Sequence, residues 1–250
     1  MHLEGPFISP DKAGVHDRRF IRRPTQADIA QLTASRAGAL VVTLAPECVD
    51  ESAIARLVAS GIRVSLGHTD ATYAQTRAAI TAGARCFTHL FNAMRPLASR
   101  EPGPIAAALE SSACFFGLIA DGVHVDPAML RLALRSLSHP MLVTDAMPPV
   151  GGTANGFRLY GEEITLMNGR CLRRDGTLAG AFLDMTSAVR NAVHLAGASL
   201  EQALQFASAN PASFIGAKAG RLAPGYRADM IALEPNTIAV LRTWVAGRAD

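Results

Sequence analysis

Short apolar runs alternate with amphipathic segments through the first 150 residues of the chain. The amphipathic segments stop at glycines, most clearly at Gly38, Gly61 and Gly83. Strands that alternate with helices across such short connections predict parallel βα units. The apolar runs predict six strands, centred on Leu3, Val42, Val64, Phe87, Leu118 and Val143.

The helices expected between these strands begin at residues that can cap them. Thr25 can cap the first helix with Asp28 as the acid of a capping box. The apolar face of that helix comprises Ile29, Leu32 and Ala37. Further helices are expected over residues 50–59, 69–82, 105–109 and 127–136.

The pattern changes after residue 150. Turns and short apolar stretches predict a hairpin over residues 157–166 and a glycine-bearing loop over residues 176–180. Helices are predicted over residues 186–196, 200–208 and 210–214, and strands over residues 228–233 and 240–245. The late strands indicate a small β module appended to the first part of the chain.

Polar groups that can bind a metal or transfer a proton follow the ends of the predicted strands. They are Glu4, His68, His89, Asp145 and the segment at residues 121–124. Because the carboxyl ends of barrel strands share one face, these side chains are expected to meet there. A doubly wound sheet would draw its site from two neighbouring strands. A (β/α)8 barrel therefore fits better, although six strands do not close one.

Two histidines and a carboxylate form a ligand set that zinc or iron(II) accepts while leaving a position for water. Glu4, His68 and His89 are the candidate ligands. Asp145 would be the general base, taking a proton from water and later giving it to the leaving group. The alternative is that the histidines make structural hydrogen bonds and that Asp145 caps a loop.

Four further residues can contact a substrate. His16 and His124 can donate hydrogen bonds to a carbonyl or hydroxyl group, or they are surface histidines. The guanidinium fork of Arg100 suits a phosphate, or it forms an exposed ion pair with Glu101 or another acid. Gly180 allows a close approach of backbone to a ligand, or it belongs to a plain turn.

Composition argues against several classes of function. The 250 residues are 49% hydrophobic and 18% charged, which is enough for a full core, and the net charge is only +3. The one basic run, at residues 18–23, indicates a solvated loop or an anion-facing edge rather than a nucleic-acid surface. Four cysteines without a CxxC spacing predict buried free thiols in a reducing compartment. Without a long apolar run or a signal peptide, a cytoplasmic protein with no membrane partner is expected.

Five motifs resemble those of the N-acetylglucosamine-6-phosphate deacetylases, a family of the amidohydrolase superfamily, in order and spacing. They are HLEGPF at residues 2–7, GHTDA at 67–71, THLFNAM at 88–94, ADGVHV at 120–125 and VTDAM at 143–147. NPA at residues 210–212 and GYRAD at residues 225–229 are similar to the family's C-terminal signature. The resemblance covers essentially the whole chain.

The resemblance implies hydrolysis of N-acetyl-D-glucosamine 6-phosphate to D-glucosamine 6-phosphate and acetate. It implies one divalent metal ion, zinc first and iron, cobalt or manganese as alternatives, held by Glu4, His68 and His89. Asp145 would be the catalytic acid and base, and His16 would polarise the carbonyl. Substrate contacts are implied at Val15, His16, Asn92, Ala93, Arg100, His124, Leu178, Ala179 and Gly180. Arg100 would reach the neighbouring site of a homodimer.

Members of that family begin with sandwich strands and two more barrel strands, and this chain resembles a member that starts at its third barrel strand. We therefore expect residues 1–222 to form a TIM-type (β/α)8 barrel that lacks its first two strands. Residues 223–250 would be the remnant of a small β-sandwich module. A second metal site, which the missing strands often carry, is not expected.

Two other functions stay open at this point. One is a different amidohydrolase, such as an N-acyl amino acid deacetylase or a ring amidase. Arg100 and the pair Asn92 and Ala93 argue against it, because they suit a phosphate. The other is an inactive truncated fragment that retains site residues.

Overall fold

The structure, a computed structural model, describes residues 1–35 and 38–249, and the chain divides into two compact units. The first unit comprises residues 1–117 and 136–138, and the second comprises residues 118–135 and 139–250. Six strands form one sheet in chain order, and the fifth runs from the first unit into the second. The strands are β1 (His2–Glu4), β2 (Val41–Leu44), β3 (Arg63–Leu66), β4 (Cys86–Phe87), β5 (Phe115–Ile119) and β6 (His139–Val143). The six strands predicted from the apolar runs are thus confirmed.

The sheet of the first unit is parallel and buried. Strands β1 to β5 pair parallel in sequence, with Val42 opposite Val64 and Phe87 opposite Phe116. All four residues of β2 are buried, as expected for a parallel strand covered on both faces. The rings of Phe87 and Phe116 stack with centroids 5.6 Å apart, which ties β4 to β5 inside this core.

The helices of the first unit begin and end close to the predicted positions, except at the end of the first helix, which stops at Thr33 rather than continuing to Gly38, and at the start of the third. They are α1 (Gln26–Thr33), α2 (Glu51–Ala59), α3 (Tyr73–Thr81) and α4 (Gly103–Leu109). Thr25 caps α1 in the capping box predicted with Asp28. Ala37, one of the apolar residues expected on α1, lies outside the described residues.

The start of α3 differs from the prediction that it begins at Thr69 or Asp70. Thr72 caps the helix instead, in a capping box with Gln75. A helix starting at Thr69 would need the Tyr73 N–H to donate to the Thr69 carbonyl, but that carbonyl accepts the N–H of Arg95, and the Tyr73 N–H donates to the Glu101 carboxylate. Contacts with a segment distant in the chain therefore delay the helix by about one turn.

Later elements belong mainly to the second unit. The helices are α5 (Pro127–Ser136), α6 (Met185–His194), α7 (Leu200–Ala207) and α8 (Ala209–Ile215). A four-stranded antiparallel sheet comprises β7 (Gly156–Leu159), β8 (Glu162–Met167), β9 (Arg170–Leu172) and β10 (Leu178–Ala181). A three-stranded antiparallel sheet comprises β11 (Met230–Leu233), β12 (Val240–Val245) and β13 (Arg248–Ala249).

The segment predicted as a glycine-bearing loop over residues 176–180 is partly a strand. Leu178 pairs with Leu172 and Ala181 with Arg170, with an irregular register between the two pairs. Gly180 lies in this irregular stretch with φ +63°, a conformation that favours glycine. The loop prediction was wrong because β9, the partner that makes the segment a strand, was not recognised.

The four cysteines are free thiols, and three of them are buried as predicted, whereas Cys48 is partly exposed. Within residues 1–35 and 38–249, no helix is long and apolar enough to cross a membrane.

Helix α7 offers a test of local stability. The Ser199 hydroxyl accepts the N–H of Gln202, and the Gln202 amide oxygen accepts the N–H of Ser199. We expect Ser199→Ala to lower the free energy of unfolding by about 1 kcal/mol, because the N–H of Gln202 loses its acceptor. Urea denaturation measures the change. Ser199→Thr retains the hydroxyl, so a loss of similar size in that variant would contradict the capping explanation.

Candidate functional site

Three of the residues assigned to chemistry share an unusual backbone conformation. His68, His89 and Asp145 each lie two residues beyond the end of a strand, with φ of 47°, 30° and 48°. The left-handed region costs a non-glycine residue about 1–3 kcal/mol, and such strain concentrates at functional sites. The same turn therefore ends β3, β4 and β6, and each time it carries a residue that can bind a metal or a proton.

Glu4, His68 and His89 meet in the first unit as a triangle of ligand atoms. The Glu4 Oε1 atom lies 3.1 Å from His68 Nε2 and 2.9 Å from His89 Nε2, and the two nitrogens are 3.0 Å apart. Both histidine side chains are buried. The three candidate ligands thus lie together at the ends of β1, β3 and β4.

The contacts of the His68 ring determine its tautomer, and therefore whether the nitrogen that faces Glu4 carries a proton or a lone pair. His68 Nδ1 lies 2.7 Å from the backbone carbonyl of Lys12, which can only accept, so Nδ1 carries the proton. In the neutral ring, Nε2 then presents a lone pair to the Glu4 carboxylate. The lone pairs of His68 Nε2 and of the Glu4 oxygen, 3.1 Å apart, repel each other unless a cation lies between them. Metal-binding histidines commonly donate their other ring N–H to a carbonyl, as His68 does to that of Lys12.

The charge of Glu4 agrees with a ligand role. Burial raises the pKa of the Glu4 carboxyl, but its interactions with the His68 and His89 rings outweigh burial and hold the pKa well below its usual range. Glu4 is therefore an anionic oxygen ligand beside two imidazole nitrogens.

His16 lies beside the triangle. Its ring contacts that of His68 edge-on at a centroid distance of 4.7 Å, and ligand atoms of Glu4, His16 and His68 lie within 4.8 Å of one another. Gly14 has φ +56°, and a Cβ there would lie 3.2 Å from the His68 ring. Gly14 thus lets the chain that carries Val15 and His16 pass close to the candidate metal ligands.

A layer of hydroxyl groups next to the strand ends was not anticipated from the sequence. The Thr88 hydroxyl lies 2.7 Å from that of Thr43 and 2.6 Å from that of Ser65, and Thr43 also contacts His2 Nε2 at 2.7 Å. A Cβ on Gly67 would lie 2.9 Å from Thr88, so the glycine before His68 makes room for this layer. Buried Ser and Thr within otherwise apolar strands were the available signal.

Asn92 and Ala93 follow the left-handed turn at His89. The N–H of Asn92 donates to the His89 carbonyl, and the carbonyl of Ala93 accepts the N–H of Thr69. The segment implied to contact a sugar phosphate is therefore anchored to both candidate histidine loops.

Arg100 is exposed, and within residues 1–35 and 38–249 it forms no ion pair. The Glu101 carboxylate instead accepts the backbone N–H groups of Tyr73 and Gly103. The described residues therefore hold no ion pair of Arg100 with Glu101 or another acid, and the guanidinium is available to an anion.

In the second unit, the loop that carries Asp145 pairs with β10. The Asp145 carbonyl accepts the N–H of Ala181, and the Ala181 carbonyl accepts the N–H of Met147. A Cβ on Gly180 would lie 2.5 Å from the Met147 side chain and 3.1 Å from the Asp145 carbonyl. The close approach expected at Gly180 thus exists, and Leu178, Ala179 and Gly180 lie on the strand that holds Asp145.

His124, also in the second unit, has its ring fixed by Asp121. One carboxylate oxygen of Asp121 accepts the N–H groups of Val123 and His124, and the other lies 2.6 Å from His124 Nδ1. Burial raises the pKa of Asp121, but these hydrogen bonds outweigh it and lower the pKa. The anionic Asp121 therefore holds the proton on Nδ1 and leaves Nε2 as the atom that can meet a ligand.

A family model described as "Amidohydrolase family" matches residues 1–249. The chain belongs to the amidohydrolase family. A relative from Shewanella sp. (strain ANA-3), named N-acetylgalactosamine-6-phosphate deacetylase, is 41% identical over 99% of this chain and 63% of its own length.

Solved structures of amidohydrolases agree with this assignment. The N-acetylglucosamine-6-phosphate deacetylase of Pasteurella multocida superposes with a TM-score of 0.96 at 36% identity, over 100% of this chain and 66% of its own. A mutant N-acetyl-D-glucosamine-6-phosphate deacetylase from Mycobacterium smegmatis, in complex with N-acetyl-D-glucosamine-6-phosphate, gives a TM-score of 0.90 at 38% identity over 99% and 67%. The chain thus spans about two thirds of the length of the relatives it matches.

Proposed function

We propose that the chain takes part in metal-dependent deacetylation of N-acetyl-D-glucosamine 6-phosphate, which yields D-glucosamine 6-phosphate and acetate. The observation that carries the proposal is the triangle of Glu4, His68 and His89 at the ends of β1, β3 and β4. The names of the relatives supply the substrate class, an N-acetylhexosamine 6-phosphate. N-acetyl-D-galactosamine 6-phosphate is a second candidate substrate, because the Shewanella relative is named for it.

The triangle fits one divalent ion, for which we propose zinc, with iron, cobalt or manganese as alternatives. Ligand atoms in a tetrahedron around a zinc ion at about 2.0–2.2 Å lie about 3.3–3.6 Å from one another. The three separations here are 2.9 to 3.1 Å, so the ligand atoms need to move apart by only a few tenths of an ångström to hold the ion. Glu4, His68 and His89 would hold the ion. It would supply Lewis acidity that polarises the acetamide carbonyl and acidifies the attacking water.

Asp145 and His16 are the proposed catalytic residues. The Asp145 carboxylate takes the proton of the attacking water and then gives it to the nitrogen of the leaving amine. His16 donates a hydrogen bond to the carbonyl oxygen, where negative charge develops as the amide carbon becomes tetrahedral. Backbone pairing with Ala181 holds the Asp145 loop, and the contact with the His68 ring places His16 beside the candidate ligands.

The remaining residues are proposed to bind the sugar phosphate. Arg100 suits the phosphate because its guanidinium is exposed and forms no ion pair within the described part of the chain. We propose that it serves the neighbouring site of a homodimer. The other proposed substrate contacts are Val15, Asn92, Ala93, His124, Leu178, Ala179 and Gly180.

The domain organisation also remains a proposal. We propose that residues 1–222 are the larger part of a (β/α)8 barrel whose first two strands are absent from this sequence. Residues 223–250, which hold β11, β12 and β13, would belong to a small β-sandwich module.

A substrate panel tests the proposed function. We expect acetate release from N-acetyl-D-glucosamine 6-phosphate and little from N-acetyl-D-glucosamine, because the phosphate supplies much of the binding. Arg100→Gln should raise KM for the phosphorylated sugar by about tenfold or more, the worth of one charged hydrogen bond. The rate of acetate release from N-acetyl-D-galactosamine 6-phosphate, compared with that from the glucosamine substrate, measures the preference between the two sugars. Equal rates with and without the phosphate would favour a different amidohydrolase.

A further inference from the structure

The end of β2 carries an acid that belongs to neither the metal triangle nor the proposed substrate contacts. Glu47 lies in a short 3-10 turn at residues 46–48, directly after the strand between those that carry Glu4 and His68. Its backbone carbonyl accepts a hydrogen bond from Arg23. Its side chain contacts the loop after β3.

Both carboxylate oxygens of Glu47 hold the two residues that follow His68. Oε2 accepts the Thr69 hydroxyl at 2.5 Å, and Oε1 accepts the Asp70 N–H at 2.6 Å. The Thr69 hydroxyl also accepts the N–H of Ala71. Thr69 is fully buried. Hydrogen bonds to an ionised acceptor are short and strong, so Glu47 fixes the backbone immediately after a strained candidate ligand.

Thr69 and Asp70 in turn bind two neighbouring segments, one at residues 93–95 and one at Lys12. Thr69 pairs with Met94 as a parallel bridge: its N–H donates to the Ala93 carbonyl, and its carbonyl accepts the Arg95 N–H. Asp70 forms ion pairs with Lys12 and Arg95. Lys12 is the residue whose carbonyl accepts the His68 Nδ1 proton. Glu47 is thus connected both to the orientation of His68 and to the segment that holds Asn92 and Ala93.

We infer that Glu47 is a positioning residue that couples the metal ligand His68 to the sugar-phosphate segment at Asn92 and Ala93 through Thr69 and Asp70. The inference rests on the proposed function. It assigns Glu47 no contact with the ion or the substrate. Loss of the carboxylate should therefore weaken ion binding and sugar-phosphate binding together, although Glu47 touches neither ligand.

The test measures binding rather than turnover. Zn²⁺ affinity is determined by competition with a chelator, Co²⁺ loading by its visible absorption spectrum, and affinity for the product glucosamine 6-phosphate by calorimetry. We expect Glu47→Ala to weaken Zn²⁺ binding about 10- to 100-fold, as is typical of groups that support a metal ligand. The Co²⁺ spectrum should change, and product binding should weaken severalfold. Glu51→Gln, an exposed acid on the adjacent helix, is the matched control and should bind as the parent does.

Two further comparisons keep the test decisive if Glu47→Ala folds poorly. Glu47→Gln keeps the shape but can accept only one of the two donors, so it should show a smaller loss of ion affinity. Thr69→Val should weaken ion binding, and Thr69→Ser, which keeps the hydroxyl, should restore it. A lower melting temperature with unchanged ion and product affinities in the Glu47 variants would overturn the inference, since that is the signature of a purely structural role. If the parent chain binds no divalent ion, the proposed metal centre itself fails.

Discussion

Replacing Asp145 by Asn is expected to lower kcat for deacetylation by about 100- to 10,000-fold, the usual contribution of a general acid–base group. The amide is nearly isosteric with the carboxyl group but cannot take a proton from water. KM and Zn²⁺ affinity should stay close to the parent values, because Asp145 is not among the proposed ion or phosphate contacts. Acetate release at saturating substrate measures the effect.

The backbone around residue 145 accommodates this substitution. Asn tolerates the left-handed conformation that Asp145 adopts at φ 48°. The hydrogen bond that fixes the loop involves the Asp145 backbone carbonyl and the Ala181 N–H, which the substitution leaves in place. A loss of rate would therefore report on the carboxylate.

A matched control removes the same charge at an exposed site. Asp175, in the turn before β10, accepts the N–H of Thr177 through one oxygen, and Asn can do the same. Asp175→Asn should keep the parent kcat. If Asp145→Asn keeps it as well, Asp145 is not the proton-transfer group, and an acid elsewhere must be sought.

The sequence predicted the sheet and the chemistry at its strand ends because both depend on local patterns. An apolar run bounded by glycine marks a buried parallel strand whatever lies beside it, as Val42 and Val64 illustrate. Polar residues at the ends of several such runs pointed to Glu4, His68 and His89, which the structure brings within hydrogen-bond distance.

The features that the sequence did not reveal depend on partners far away in the chain. Helix α3 starts late because the Thr69 carbonyl accepts the N–H of Arg95, more than 20 residues later, and the Tyr73 N–H donates to Glu101. β10 is a strand because β9 pairs with it. The left-handed turn at His68 could not be predicted because most histidines still adopt negative φ, so the surrounding contacts must impose it.

Removing the divalent ion should abolish deacetylation and lower the melting temperature of the chain. Without a cation, the Glu4 oxygen and the His68 Nε2 lone pair face each other in a largely buried site. An ion at 100 times its dissociation constant stabilises the folded state by about 2.7 kcal/mol. Dialysis against a chelator, followed by a thermal melt and an assay, measures both effects. Zn²⁺ added back should restore both.

Replacing a proposed metal ligand should reduce the stabilisation by Zn²⁺, whereas replacing a histidine that is not a ligand should leave it unchanged. His89→Gln removes the nitrogen that lies 2.9 Å from Glu4 and 3.0 Å from His68 Nε2, so Zn²⁺ should no longer raise the melting temperature by the parent amount. His194→Gln is the control, since His194 is exposed at the end of α6 and is assigned no ligand role. The shift in melting temperature does not require turnover, so it tests the metal centre even in a chain that lacks activity. An unchanged Zn²⁺ response in His89→Gln would remove His89 from the ligand set.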